Sequence, residues 1–211
     1  MNPFADESRT PAVRGYWHEP AGHGAGVLVV THGASSNAAS PLLVALADSF
    51  AAAGYAVLRF DLPYRQARPH GPPSPSTAAR DRQGIENAVL SARTRVPGGT
   101  VILGGHSYGG RQASMLAAEK PDIADRLLLL SYPLHPPGKH AQLRTAHLPN
   151  LRLPVLFVHG TRDPFGSPGE MRQALALIPA PSRLVEVTGA GHDLRPFSWI
   201  KDIPGYFAPG S

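Results

Sequence analysis

Short, unbroken apolar runs recur along this chain, and most are followed by a segment with apolar residues at helical spacing. The first strong run is Val27-Leu28-Val29-Val30. Ser40-Pro41 then reads as a helix start, with serine at the N-cap and proline at the first helical position. Leu42, Leu43, Leu46 and Phe50 share one stripe of that helix, and Gly54 ends it. Ala56-Val57-Leu58-Arg59-Phe60 is the next strand, and a helix from about Ser76 to Ala92 carries Ile85, Val89 and Ala92 on one side. Val101-Ile102-Leu103 precedes a helix from Tyr108 to Glu119. Leu127 to Leu130 and Val155 to Val158 are two further buried strands. A helix from about Pro168 to Ile178 separates the latter from Leu184-Val185-Glu186-Val187, and a last helix is expected near Pro196. Arg14 to His18 reads as an antiparallel edge strand.

Unbroken apolar runs fit strands buried on both faces, and their alternation with helices predicts a mostly parallel sheet of about six to eight strands, covered on both sides. The expectation is a single α/β domain over residues 1–211, with a flexible segment at 1–12. The Pro-rich stretches Pro63 to Pro75 and Pro133 to Pro149 follow strands. They should emerge at the C-terminal edge of the sheet, where open α/β folds bind ligands. Neither is long enough to be a separate cap domain. Gly22-His23-Gly24-Ala25-Gly26 precedes a strand rather than opening a helix, so it reads as a turn and not as a dinucleotide fingerprint.

Composition narrows the function classes. A chain of 211 residues has room for one substantial core. No apolar run approaches the roughly 18 residues that span a bilayer, so no membrane insertion is expected. Met1 to Thr10 lacks an apolar segment and carries Asp6 and Glu7, which argues against a secretory signal. With no cysteine, disulfides, thiol catalysis and cysteine-ligated metals are excluded, and a cytoplasmic location is expected. The formal charge of +5 is spread over separate elements without a basic run, so no nucleic-acid partner is expected. Exposed strand edges leave a homodimer open without supporting one.

The chemistry centres on Gly105-His106-Ser107-Tyr108-Gly109. This fits G-x-S-x-G, the sharp strand-to-helix turn that holds a serine Oγ above a parallel sheet. A serine hydroxyl needs an adjacent base to act as a nucleophile at neutral pH. In this arrangement the acid and the base follow the serine in chain order. Asp163, in His159-Gly160-Thr161-Arg162-Asp163-Pro164, and His192, in Gly189-Ala190-Gly191-His192-Asp193, both lie just past strand ends. Expected catalytic residues are therefore Ser107 as nucleophile, His192 as base and Asp163 as the acid that orients it. The oxyanion hole should use the backbone N–H of Tyr108 and, from Thr31-His32-Gly33-Ala34-Ser35-Ser36, that of Ala34, with Ser35 as second choice. His32 reads as a buried scaffold histidine. Ser35, Tyr64, Arg65, Tyr132, His135 and Phe165 are candidate substrate-lining residues from their positions after strand ends. His135, His140 and His147 share one loop, but no carboxylate joins them in sequence, so neither metal nor cofactor is expected.

These residues, with His32-Gly33 and Gly191-His192, resemble the α/β-hydrolase superfamily over nearly the whole chain. Within it, Phe60-Asp61-Leu62-Pro63-Tyr64 and Ser131-Tyr132-Pro133-Leu134-His135-Pro136-Pro137-Gly138-Lys139 are similar to the small cap-less hydrolases of the testis-expressed and KANSL-type group. The dienelactone hydrolases are more distant. The resemblance implies the α/β-hydrolase fold and the triad roles. It says little about substrate, and some animal relatives serve as complex subunits. A serine stands where dienelactone hydrolases carry a nucleophilic cysteine. The expected function is a serine hydrolase cleaving a carboxylic ester or related acyl bond of a small molecule, a thioester included. Amidase, peptidase and perhydrolase chemistry stay open, and the alternative is a non-catalytic binding or scaffold protein on the same fold.

Overall fold

The computed structural model describes residues 2–22 and 24–208. It contains one eight-stranded sheet in the order β1-β2-β4-β3-β5-β6-β7-β8. The strands are β1 (Asn2–Asp6), β2 (Val13–His18), β3 (Gly26–Thr31), β4 (Tyr55–Phe60), β5 (Thr100–His106), β6 (Arg126–Leu130), β7 (Val155–Gly160) and β8 (Ser182–Val187). From β4 to β8 every pairing is parallel, whereas β1–β2 and β2–β4 are antiparallel. The helices are α1 (Pro41–Ala52), α2 (Pro63–Ala67), α3 (Ala78–Arg95), α4 (Tyr108–Glu119) and α5 (Pro168–Leu175).

Strand alternation divides each apolar run between two cores. Val27, Val29, Leu58, Val101, Leu103, Leu127 and Leu129 pack with Ile85 and Val89 of α3 and Leu116 of α4. Leu28, Val30, Val57, Ile102, Leu128 and Leu130 face the other way, onto Leu43, Leu46 and Phe50 of α1. Both faces are thus covered, as the unbroken runs require. Pro41 occupies the first turn of α1, and Gly54, at φ 89°, follows its C-terminus.

Several boundaries differ from the sequence reading. Asn2–Asp6, inside the segment 1–12 expected to be a flexible lead-in, forms β1, so β2 is not the edge strand. Phe4 packs on Trp17 with ring centroids 6.0 Å apart, and Asp6 Oδ2 accepts a hydrogen bond from Ser91 Oγ. One large apolar residue in the five-residue segment Asn2-Pro3-Phe4-Ala5-Asp6 gives little periodic signal. The helix expected near Pro196 is two 3₁₀ segments, Phe197–Asp202 and Pro204–Phe207. Ile200 and Ile203 are buried there, three residues apart, which suits the tighter helix, and Pro204 lacks the N–H that would continue an α-helix. The first Pro-rich stretch contains the short helix α2, which the sequence did not signal. The turn expected at residues 22–26 includes His23, which lies outside the described residues.

Candidate active site

The C-terminal ends of β3, β5, β7 and β8 meet at one rim of the sheet, and the sequence-predicted site lies there. Ser107 stands between β5 and α4 at φ 50° and ψ −114°, a left-handed conformation held by the surrounding turn. Glycine is required on both sides of it. A Cβ on Gly105 would come within 2.5 Å of Gly110 N, and one on Gly109 within 2.5 Å of His32 O. Ser107 N–H donates to Leu130 O at 2.8 Å, tying the elbow to β6.

Ser107 Oγ lies 2.8 Å from His192 Nε2, and His192 Nδ1 lies 2.8 Å from Asp163 Oδ2. One tautomer satisfies both contacts: Nδ1–H donates to the carboxylate and Nε2 accepts from the serine hydroxyl. Asp163 Oδ1 accepts from Phe165 N–H at 2.9 Å. Burial pushes the Asp163 carboxyl up, but the hydrogen bond and charge of His192 outweigh it, and the group stays below its ordinary range. The Phe165 ring lies 4.3 Å, centroid to centroid, from the imidazole of His192.

His106, the variable position of the motif, was not anticipated as functional. Its Nε2–H donates to His192 O at 2.8 Å, which fixes the backbone that carries the imidazole. Burial holds its pKa down at about 4, so it is neutral near pH 7. His159 is fully buried and donates from Nε2 to Gly166 O at 2.7 Å, bracing the loop around Asp163.

Ala34 and Tyr108 line the same cleft as Ser107, and among the described residues neither backbone N–H makes a backbone hydrogen bond. The loop holding Ala34 is fastened from behind. His32 is fully buried, donates from Nδ1 to Gly33 O and accepts from Leu62 N–H, as a scaffold histidine should. Tyr64 Oη is 3.2 Å from Gly33 O and 2.9 Å from Ala34 O. Arg65 donates to Ala34 O and Ser36 O on one side and to Pro69 O and Gly71 O on the other. Asp81, buried on α3, accepts from Tyr64 N–H and from the hydroxyl of Tyr108 at 2.8 Å.

A cleft of about 700 Å³ opens above Ser107 and His192. Of the candidate lining residues, Ser35 and Phe165 reach it. Tyr64, Arg65, Tyr132 and His135 do not, because each turns inward from its strand end. Tyr64 and Arg65 support the Ala34 loop. Tyr132 is buried and donates to Arg144 O at 2.6 Å. His135 is buried beside Glu170, with Oε1 of the acid 3.5 Å from its Nε2 and 3.0 Å from His140 Nδ1. A carboxylate from α5 therefore joins two of the three loop histidines, which their spacing concealed; the three ligand atoms lie within 4.8 Å of one another. His147 is elsewhere, 2.8 Å from Ser114 Oγ. Both Pro-rich stretches expected at this edge reach the cleft, through Pro72 and Arg144, whereas Arg111 and Met115 of α4 line it without having been singled out in the sequence. Arg111 had a signal: it falls four residues after Ser107, in the first turn of α4.

A mostly parallel sheet in this order, helices on both faces and a rim of this composition are those of an α/β hydrolase. A model of the alpha/beta hydrolase domain matches residues 24–199, and the chain belongs to that family. Est1E from Butyrivibrio proteoclasticus has the same fold, with a TM-score of 0.76 and 17% identity over 98% of this chain and 97% of that one. A serine hydrolase homologue from Coxiella burnetii gives 0.75 and 15% over 98% and 96%. Dienelactone hydrolase from Anabaena variabilis gives 0.74 and 20% over 98% and 96%. A stretch of 48 residues, 23% of the chain, is 52% identical to part of polyketide synthase ThaQ from Burkholderia thailandensis, of whose length it spans 2%. Among the described residues no helix is long and apolar enough to cross a membrane.

Proposed function

We propose that the protein is a serine hydrolase that cleaves carboxylic esters or related acyl bonds, thioesters included, through an acyl-enzyme. The observation that carries this reading is the unbroken chain from Ser107 Oγ through His192 to Asp163, each link 2.8 Å, beneath an open cleft. A binding protein without turnover has no need of that alignment.

In this reading Ser107 Oγ attacks the acyl carbon as His192 Nε2 takes the hydroxyl proton. Asp163 stabilises the imidazolium, which is most of what a buried carboxylate contributes here. Negative charge gathers on the former carbonyl oxygen, where the N–H groups of Ala34 and Tyr108 receive it at the start of α4, the positive end of the helix dipole. The intermediate collapses, and His192 returns the proton to the departing alkoxide or thiolate. Water then gives its proton to His192 and attacks the acyl carbon, releasing the acid and restoring Ser107.

The test is steady-state hydrolysis of p-nitrophenyl esters and matched thioesters of graded acyl length. The thioester arm is included because of the short likeness to a polyketide synthase. Turnover that disappears in Ser107→Ala supports the reading. A folded wild type inactive on the whole panel contradicts it.

A further inference from the structure

The lining of the cleft holds Arg82, Arg111 and Arg144 and no aspartate or glutamate. Arg82 is accounted for: its Nη1 donates to Gln112 Oε1, and its Nε lies 3.4 Å from Glu119 Oε1. The other two differ. Among the described residues neither Arg111 nor Arg144 forms an ion pair with an acid. Arg111 Nε is buried without any hydrogen-bond partner. Arg144 donates from Nη1 to Pro133 O, a neutral acceptor. Burial and the charge of Arg111 both lower the pKa of Arg144.

Two half-buried guanidiniums sharing one wall without a counter-ion are unfavourable in the free protein. Each is a fork of N–H donors shaped for a carboxylate or phosphate. Arg111 stands one helical turn beyond Ser107, with its backbone N–H on Ser107 O, so an anion held there sits close to the acyl bond. Pro72, Pro73, Met115 and Phe165 supply an apolar remainder along the same cleft.

From this geometry we infer that the substrate carries a terminal oxyanion, a carboxylate or a phosphate, which Arg111 and Arg144 clamp while an apolar segment lies along the cleft to Ser107. The inference rests on reading this cleft as the acyl-substrate site and names the charge that substrate bears.

The test is binding to Ser107→Ala, which needs no turnover. Dissociation constants are measured for ethyl pentanoate, for monoethyl glutarate, which replaces its terminal methyl with a carboxylate, and for ethyl 4-phosphonobutanoate. At least one anionic ligand should bind about tenfold or more tightly than the neutral ester, the scale of one charge-assisted hydrogen bond. That advantage should shrink as salt is raised and disappear in Arg111→Gln or Arg144→Gln. The tighter anion identifies carboxylate or phosphate as the natural group. Equal binding of all three ligands, or a preference unchanged in both variants, overturns the inference. If a variant does not fold, the comparison of ligands and its salt dependence in Ser107→Ala still decide. Failure here leaves the hydrolase reading intact, because that reading is tested by turnover and by labelling of Ser107.

Discussion

At the residue scale the site is a set of groups whose environments fix their protonation. Asp163 is buried, ionised and hydrogen-bonded to His192, so its replacement by asparagine should leave a folded protein in which the imidazole favours the wrong tautomer. Asp163→Asn is expected to lower kcat by roughly a thousandfold or more, read by hydrolysis of a p-nitrophenyl ester; a change of less than about tenfold speaks against its role. His106 makes a prediction about stability. Burial depresses its pKa from 6.5 to about 4, so the unfolded chain takes up the proton first. The stability it contributes is complete above about pH 6.5 and drains as pH falls towards 4. At about pH 5 the loss from this group is about 2 kcal/mol. His147, also held down at about 4, adds to the same slope. Urea unfolding at about pH 7 and pH 5 measures the difference, and His106→Asn should reduce it; an unchanged difference contradicts the assignment. The triad residues were legible in the sequence because chain order and strand ends constrain them jointly. Tyr64, Arg65, Tyr132 and His135 were misplaced for a plain reason. Position past a strand end puts a residue near the rim but does not say whether its side chain turns towards the cleft or into the protein.

At the element scale the loop after β3 is held by its neighbours rather than by itself. Tyr64 and Arg65 grip its carbonyls from α2, while Asp81 of α3 holds both Tyr64 and Tyr108. Tyr64→Phe removes one shared hydrogen bond, worth about 1 kcal/mol, and frees Ala34 to drift. The expected outcome is a fall in kcat of about tenfold with little change in KM, because the contact is made to the transition state. A rise in KM alone would assign Tyr64 to ground-state binding instead. β1 gives a second prediction. Phe4→Ala uncovers one side of Trp17 and should destabilise the protein by about 1–2 kcal/mol in urea unfolding, with activity unchanged in the folded enzyme; no loss of stability contradicts the packing described. The buried strands were legible as unbroken apolar runs, and α1, α3 and α4 because they are longer and carry a helical stripe. β1, α2 and the 3₁₀ segments near the C-terminus were not, since a few residues fixed by tertiary contacts leave no period to detect.

At the scale of the whole molecule, the sheet order brings together residues far apart in sequence. β5 lies beside β3, which sets the Ala34 loop against the Ser107 elbow, and β7 and β8 deliver Asp163 and His192 from the other side. The two cores, one under α3 and α4 and the other under α1, hold that rim rigid on both faces. The two Pro-rich loops were legible as parts of the rim, but the pairing of Arg111 with Arg144 was not, because those side chains come together only once α4 and both irregular loops are in place. The central claim is that Ser107 is an activated nucleophile, and the most direct measurement is labelling of the purified protein with a fluorophosphonate, followed by intact mass. The account predicts a single phosphonyl adduct per chain on the wild type and none on Ser107→Ala. A folded wild type that takes no adduct, or an adduct that persists in Ser107→Ala, contradicts it.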